Sequence, residues 1–274
     1  MVKKKNKIDD LINVVKRLRN PKNGCPWDIQ QTSKSLAKYT LEEAYEVIEA
    51  IESNNNKELE GELGDLLLQV IYHSVIAAEK KKFSIDDVID TSVKKMKSRH
   101  PHIFMRDESI KTVQDVNDFW ETQKKFERKK KGAKSVLDGV SVNLPAVTRS
   151  LKLQKRAAKE GFDWKNANGT LKKVKEELNE LSNEMKINNK RKIKEELGDL
   201  LFSCINLSRK LGLDTETIIR NSNRKFEKRF KKMENTMNKK KLKWNLNNLE
   251  KEWQKSNNFF RHILFIFFKE YFIL

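Results

Sequence analysis

Residues 40–70 read TLEEAYEVIEAIESNNNKELEGELGDLLLQV, and this stretch predicts two helices joined by a short turn. Apolar residues recur at three- and four-residue spacing on both sides of an asparagine cluster, which is typical of amphipathic helices. They are Leu41, Ala44, Tyr45, Ile48 and Ile51 before the cluster, and Leu59, Leu63, Leu66, Leu67 and Val70 after it. The residues 53–56 suit a turn that ends one helix and caps the next. We therefore expect an antiparallel helix hairpin.

The same pattern returns 134 residues later. KVKEELNELSNE at 173–184 and EELGDLLFSC at 195–204 resemble the two halves of the first hairpin, with a break at Asn188 and Asn189. The Lys- and Gly-containing segment 126–145 separates the copies and is the predicted linker. The sequence thus predicts a repeat at 1–125, a second repeat at 146–256 and an apolar tail at 257–274.

Composition supports an all-α fold for both copies. The 274 residues include only 9 Gly and 4 Pro, too few for the many turns of a sandwich, a barrel or a doubly wound sheet. We therefore expect two helical bundles, each built around its hairpin.

Each hairpin also carries four carboxylates that are symmetric about its turn. In the first hairpin these are Glu43, Glu46, Glu62 and Asp65, centred on Asn54. In the second they are Glu177, Glu180, Glu196 and Asp199, centred on Asn188. Residues equidistant from an antiparallel turn lie opposite each other, so we expect four carboxylates to converge in each copy.

Converging carboxylates repel one another unless a cation compensates their charge. An all-oxygen set suits Mg²⁺ or Mn²⁺, and the lack of His and Cys argues against zinc. An exposed acidic face paired with lysines is the alternative for a single ExxE motif. Two mirrored sets at identical spacing favour a metal site.

The arrangement ExxE, 15 residues, ExxD resembles the MazG family of nucleoside triphosphate pyrophosphohydrolases. RLRNPKNGCPWD at 17–28, KSRHPHIF at 97–104, GFDW at 161–164 and KFEKRF at 225–230 are similar to that family too, and the likeness runs from about residue 8 to 256. It implies tandem all-α bundles and magnesium-dependent hydrolysis of a nucleoside triphosphate to the monophosphate and diphosphate. It also implies a cytoplasmic oligomer, such as a homodimer, whose helices pack across subunits.

Such a substrate needs cations for its phosphates. Lys173 and Lys192 each precede a predicted ligand by one helical turn, and Lys225 with Arg229 form an i,i+4 pair that suits a second clamp. Each of these side chains also has a simple alternative as a solvated surface cation.

Two further residues complete the predicted site. Trp253 is a candidate to stack on a base of any identity, or else a packing residue. Glu176 is a candidate to orient the attacking water, or else a partner in a surface salt bridge. We expect broad base specificity because one stacking contact does not distinguish bases.

The second copy is the predicted catalytic one. Tyr39 and Glu58 stand in the first copy where the second has Lys173 and Lys192. The first copy keeps counterparts of the other contacts, namely Lys95, Arg99 and Trp120. Its His100 and His102 have no match in the second copy and are expected to be structural.

Charge leaves one competing hypothesis. The 58 Lys and Arg exceed the 39 Asp and Glu by 19, which favours a basic helical nucleic-acid-binding or regulatory protein if the carboxylates are structural. Because lysine is spread over the whole chain, we expect a solvated basic surface and no specific nucleic-acid partner. Cys25 and Cys204, far apart in sequence, indicate a reducing compartment. The tail FFRHILFIFFKEYFIL, 259–274, is too short and charged for a membrane span.

Overall fold

The computed structural model describes residues 7–105 and 109–255, and the predicted apolar tail lies outside the described residues. Every regular element in these ranges is a helix, which confirms the all-α prediction. The helices are α1 (Lys7–Leu18), α2 (Pro26–Gln30), α3 (Ser33–Glu52), α4 (Asn56–Glu79), α5 (Ile85–Arg99), α6 (Pro101–Phe104), α7 (Val113–Lys130), α8 (Ala146–Lys159), α9 (Ala167–Lys186), α10 (Lys190–Lys210), α11 (Thr215–Lys239) and α12 (Leu246–Lys255). None of these described helices has the length and apolar character needed to cross a membrane.

The chain divides into two units, Met1–Phe126 and Glu127–Leu274. Each unit contains one helix hairpin, α3–α4 in the first and α9–α10 in the second, and these pairs make the most extensive helix contacts of their units. The helix α1 packs on α4 in the first unit, and α8 packs on α10 in the second. The two units therefore repeat one arrangement of a leading helix against a hairpin.

The two hairpin turns share one backbone conformation. Asn54 and Asn188 have φ of 55° and 53°, in the left-handed region that asparagine tolerates better than most residues. The next residue in each turn, Asn55 or Asn189, accepts a hydrogen bond on its side-chain oxygen from the backbone N–H three residues later. Asparagine thus supplies both the reversal and the cap of the following helix, as the sequence predicted.

The core of the first unit lies at the end of the hairpin farthest from its turn. Its fully buried members come from α1, α3 and α4, and partly buried apolar residues of α1, α3, α4 and α5 pack around them. The buried members are Val15, Leu36, Ile71, Tyr72, Val75 and Ile76.

A buried arginine ties this core to the loop after α1. Arg19, whose side chain is 6% exposed, donates two hydrogen bonds of 2.7 Å to the carboxylate of Glu79 and two more to the backbone oxygens of Asp28 and Gln31. The Tyr72 hydroxyl donates to Asp28 Oδ1 at 2.5 Å. Burial, followed by this hydrogen bond, raises the pKa of Tyr72. The loop is therefore part of the core network of the first unit.

The apolar stripes of the two hairpins remain largely exposed within the described chain. Leu41, Ile51 and Leu63 are about half exposed, as are Leu178, Leu197 and Leu201 in the second hairpin. The core of the first unit is built from residues at the other end of its hairpin, and it leaves Ile51 and Leu63 near the turn exposed. The spacing of these residues thus predicted helix faces correctly, but not which parts of them are buried.

Candidate active site

The structure brings three carboxylates together on each hairpin. One oxygen from each of Glu177, Glu196 and Asp199 lies within 4.8 Å of the others, and the same holds for Glu43, Glu62 and Asp65. The spacing follows from the antiparallel pairing of α9 with α10 and of α3 with α4, with the asparagine turn at the centre. Oxygen atoms alone make up both sets, which fits a hard divalent cation.

The fourth predicted carboxylate of each hairpin lies at the edge of its triad. In the second unit this is Glu180, which is exposed and whose pKa is raised, first by desolvation and then by the negative charges of Glu177 and Glu196. In the first unit it is Glu46, which is exposed and faces Glu62.

The carboxylates of the first hairpin also repel one another. The pKa of Glu43 is raised, first by desolvation and then by the negative charges of Asp65 and Glu46. The pKa of Glu62 is raised by desolvation and by Glu46. These carboxylates are held close enough to disfavour one another's ionised form, which is the situation that a bound cation relieves.

The second triad has lysines beside it. The Lys173 Nζ lies 2.7 Å from Glu177 Oε1 and 2.6 Å from Glu176 Oε1, and these two carboxylates raise the pKa of Lys173. The Lys192 Nζ lies 2.9 Å from Glu195 Oε2 and 4.0 Å from Glu196 Oε1. Both lysines therefore lie on the face that carries the carboxylates, where the sequence placed them. Glu195, which sequence reasoning did not single out, has its pKa lowered by Lys192.

Glu177 and Glu176 occupy different environments despite being neighbours. Glu177 is buried, with 5% of its surface exposed, whereas the Glu176 side chain is 55% exposed and pairs with Lys173. The role predicted for Glu176 in orienting water stays a prediction.

The matching positions of the first unit contain no lysine. Tyr39 packs against the core of that unit, and its ring lies 6.1 Å from that of Trp27. Glu58, at the start of α4, adds a further negative charge near Glu62 and contributes to the raised pKa of that residue. The first triad is therefore more acidic in its surroundings than the second.

The remaining predicted substrate contacts lie on other helices. On α11, Lys225 is exposed and Arg229 is partly buried, and Trp253 on α12 packs its ring 5.4 Å from that of Phe226. In the first unit, Lys95 and Arg99 lie on α5 and Trp120 on α7, where the Trp120 Nε1 donates to the Arg99 backbone oxygen at 2.7 Å.

His100 and His102, which the sequence analysis expects to be structural, contact each other and neighbouring groups of the first unit. His100 bonds through Nδ1 to the Met96 backbone oxygen at 2.7 Å, and its ring meets Trp120 edge to face. His102 lies 5.8 Å from His100, measured between the ring centroids.

A cavity of about 430 Å³ opens beside the second triad. Its volume is within the roughly 300–1,000 Å³ that small-molecule sites occupy. Its lining includes Lys173, Glu177 and Asp199, and the remaining part is mostly apolar or aromatic with a few polar side chains. That remaining part is lined by Leu137, Leu153, Gln154, Ala157, Phe162, Trp164, Phe202, Ser203, Asn206 and Arg209.

Ion pairs hold the aromatic loop of this cavity in place. Asp163, between Phe162 and Trp164, accepts from Arg209 at 2.5 Å and from Lys210 at 2.9 Å. The hydrogen bond from Arg209, together with Lys210, lowers the pKa of Asp163 to about 2. Gly169 on α9 lies under the Trp164 indole, and a Cβ there would overlap the ring. The loop 161–164 thus contacts both α9 and α10. The sequence analysis identified it only as a motif.

Gln154, Asn206 and Arg209 were missed from the sequence because a lone polar residue in a helix has many ordinary explanations. One signal was present for Gln154. It interrupts an apolar stripe of α8 formed by Val147, Leu151 and Ala158 at helical spacing. A polar residue at such a position needs a partner once it is buried.

Comparison with known proteins finds a matching family and several similar enzymes. Residues 31–104 and 165–233 match the family described as the MazG nucleotide pyrophosphohydrolase domain. The nucleoside triphosphate pyrophosphohydrolase of Escherichia coli (strain K12) is 41% identical over 255 residues, which cover 91% of this chain and 97% of that protein. The nucleoside triphosphate pyrophosphohydrolase/pyrophosphatase MazG of Thermotoga maritima is 40% identical over 252 residues, or 91% of this chain and 95% of that protein. The nucleoside triphosphate pyrophosphohydrolase of Mycobacterium tuberculosis is 40% identical over 154 residues, or 56% of this chain and 46% of that protein.

Proposed function

The chain belongs to the MazG family of nucleotide pyrophosphohydrolases, and on that basis we propose that it hydrolyses nucleoside triphosphates to the monophosphate and diphosphate as a housekeeping filter of the nucleotide pool. The observation that carries the proposal is the carboxylate triad of each hairpin, held within 4.8 Å, with Lys173 and Lys192 beside the second one.

Glu177, Glu196 and Asp199, with Glu180 at the edge, would hold Mg²⁺ as the resident ion, with Mn²⁺ as a substitute. These ligands suit it because they are carboxylate oxygens and include neither His nor Cys. When bound, the ion neutralises phosphate charge and lowers the pKa of a coordinated water. The triad of Glu43, Glu62 and Asp65, with Glu46, is a weaker site of the same type.

The lysines of the second unit have a defined task in this reaction. Lys173 is paired with Glu176 and Glu177, and Lys192 with Glu195. A triphosphate that enters between them offers these ammonium groups stronger anionic partners, so each lysine exchanges a carboxylate for a phosphate oxygen. Glu176, released from Lys173, is then a candidate to orient water. Lys225, Arg229 and Trp253 remain predicted contacts to the rest of the substrate.

The second repeat, 146–256, is the catalytic one in this proposal. Its triad has adjacent cations and an adjacent cavity, whereas the first triad has Tyr39 and Glu58 in place of the lysines. An additional glutamate repels a polyphosphate, and each lost lysine removes a favourable charge pair.

A matched set of variants tests both the activity and the choice of repeat. Diphosphate release is measured from a panel of ribo- and deoxyribonucleoside triphosphates with Mg²⁺ and again with EDTA. We expect Glu177→Gln and Asp199→Asn to lower kcat/KM by at least about 100-fold. Even mutation of the residues that hydrogen-bond to metal ligands typically lowers metal affinity or activity by about 10- to 100-fold. The corresponding controls are Glu43→Gln and Asp65→Asn, expected within about threefold of the unmodified chain.

Two results would contradict the proposal in different ways. Full turnover in the Glu177 and Asp199 variants would remove the metal site from the second hairpin. Loss confined to the Glu43 and Asp65 variants would move catalysis to the first repeat.

We infer also that the chain acts as a homodimer or higher homo-oligomer. Many of the exposed apolar residues lie on the two hairpins, where a second copy would bury them. They include Leu41, Tyr45, Ile51, Leu63 and Leu67 on the first hairpin, and Leu171, Leu178, Leu197, Leu201 and Phe202 on the second. We place this activity in the cytoplasm, where free cysteines such as Cys25 and Cys204 stay reduced.

A further inference from the structure

The cavity beside the second triad extends well past the residues that phosphate chemistry requires. Beyond Lys173, Glu177 and Asp199 it continues between Phe162, Trp164 and other apolar side chains. A triphosphate held at the triad projects the remainder of its nucleotide into the neighbouring space. If the proposed function holds, this aromatic part of the cavity is where a base can lie.

Gln154 provides a polar group inside this apolar part. Gln154 is only 6% exposed, and its side-chain Nε2 donates a hydrogen bond to the Phe202 backbone oxygen at 2.8 Å. A carbonyl oxygen can only accept, so this bond fixes the amide with the nitrogen towards α10. The Gln154 Oε1 is then an obligate acceptor, and it is buried with no hydrogen-bond partner among the described residues. An unsatisfied buried acceptor of this kind is costly, which is why it points to a ligand.

The first unit serves as an internal comparison. The stretch VKR at 15–17 of α1 matches QKR at 154–156 of α8, so Val15 takes the place of Gln154. With the offset of 134 that relates α4 to α10, Tyr72 and Val75 take the places of Asn206 and Arg209. Val15, Tyr72 and Val75 are all buried core residues. The second unit therefore has an amide or charged side chain at each of three positions where the first has a buried member of its core.

We propose that this cavity binds the nucleobase and that Gln154 Oε1 accepts a hydrogen bond from an N–H group on the edge of the base. The aromatic side chains of the cavity supply faces for the ring, and a base stacks on such faces whatever its identity. Gln154 is thereby a base-binding residue for the proposed reaction, and Trp253 does not line this cavity.

One obligate acceptor selects for a feature shared by all the common bases. Adenine, guanine and cytosine carry an amino group, and uracil and thymine carry a ring N–H. The contact thus excludes none of them, in keeping with broad base specificity. It distinguishes them only from a base without an N–H on that edge.

The test compares ATP with purine ribonucleoside triphosphate, which differs by the missing amino group. Diphosphate release gives kcat/KM for both, and calorimetric titration with Ca²⁺ in place of Mg²⁺ gives Kd. In the unmodified protein we expect ATP to be favoured by about tenfold, the effect of roughly one neutral hydrogen bond. In Gln154→Leu, and in Gln154→Met as a second variant of similar length, we expect this ratio to fall to about one through a loss for ATP alone.

Gln69→Leu is the matched control. Gln69 is also a buried glutamine whose Oε1 has no partner in the described part of the chain, but it lies on α4 in the first unit. We expect it to leave the tenfold ratio unchanged.

Equal preference for the two nucleotides in the unmodified protein would overturn the inference. So would an equal loss for both nucleotides in the Gln154 variants, since that indicates a structural role. Absence of diphosphate release from every triphosphate would instead overturn the proposed function. In that case the Kd ratio still decides whether the cavity reads the base, and a failure to bind either nucleotide overturns the inference as well.

Discussion

Replacing Asp163 by asparagine removes the ion pairs that hold the loop carrying Phe162 and Trp164. The carboxylate contacts Arg209 and Lys210, whose side chains are 11% and 19% exposed, and is itself 20% exposed. Asparagine keeps the shape of the side chain but has no charge. The cost should therefore reflect mainly the charge-assisted hydrogen bonds.

The pKa gives the size of this cost. A carboxyl group with an ordinary pKa of 3.8 that falls to about 2 on folding gains stability from its ionised form. The shift corresponds to an upper limit of about 2 kcal/mol, and solvent screening of a partly exposed group reduces it to about 1 kcal/mol. Because the folded pKa is the lower one, this stability is complete well above pH 3.8 and is lost as the pH falls through 2.

Denaturant unfolding of the full chain, followed by tryptophan fluorescence and circular dichroism, measures this difference. At pH 7 we expect Asp163→Asn to unfold with a free energy about 1 kcal/mol lower, and at pH 3 the deficit should shrink to about half of that. The control Asp90→Asn, at an exposed position of α5, should change neither value. An equal loss of unfolding free energy at pH 7 and pH 3 would show that the charge of Asp163 is not its cause. No loss at pH 7 would show that the ion pairs of Asp163 do not stabilise the loop.

Two further predictions concern packing. Arg19→Met should destabilise the first unit by about 3 kcal/mol in the same unfolding assay, because it leaves the Glu79 carboxylate and two backbone oxygens without their donor; a change below about 0.5 kcal/mol would contradict the buried network. Leu201→Arg, at a residue 58% exposed within the chain, should lower the molar mass measured by light scattering if a second copy covers this face, while Lys194→Arg on the same helix should not. A mass unchanged by Leu201→Arg would place the subunit contact elsewhere.

The sequence predicted the hairpins and the triads well because both depend on local geometry. Helical spacing places Glu196 and Asp199 on one face, and the symmetry about Asn188 places Glu177 opposite them. The same reasoning located Lys173 and Lys192 beside the triad. These relations need only one helix or one turn, so they can be obtained without knowledge of the remaining chain.

Burial was less predictable, since it depends on which helix packs where. The stripes that contain Leu63 and Leu197 have the pattern of a core, but both residues are about half exposed within the described chain. Arg19, a charged residue in a loop, is by contrast almost fully buried. Apolar periodicity shows which residues share a face but not what covers that face.

The sequence by itself determined the all-α class, the duplication and the opposed carboxylates, because each follows from spacings within a hairpin. Only the tertiary structure decided that α8 brings Gln154 against α10, and that Asp163 is held by Arg209, 46 residues later. Those contacts join segments far apart in sequence, and no local spacing encodes them. The cavity that Gln154 lines in the second unit and the core that contains Val15 in the first arise from such contacts, and they distinguish two repeats whose hairpins otherwise look alike.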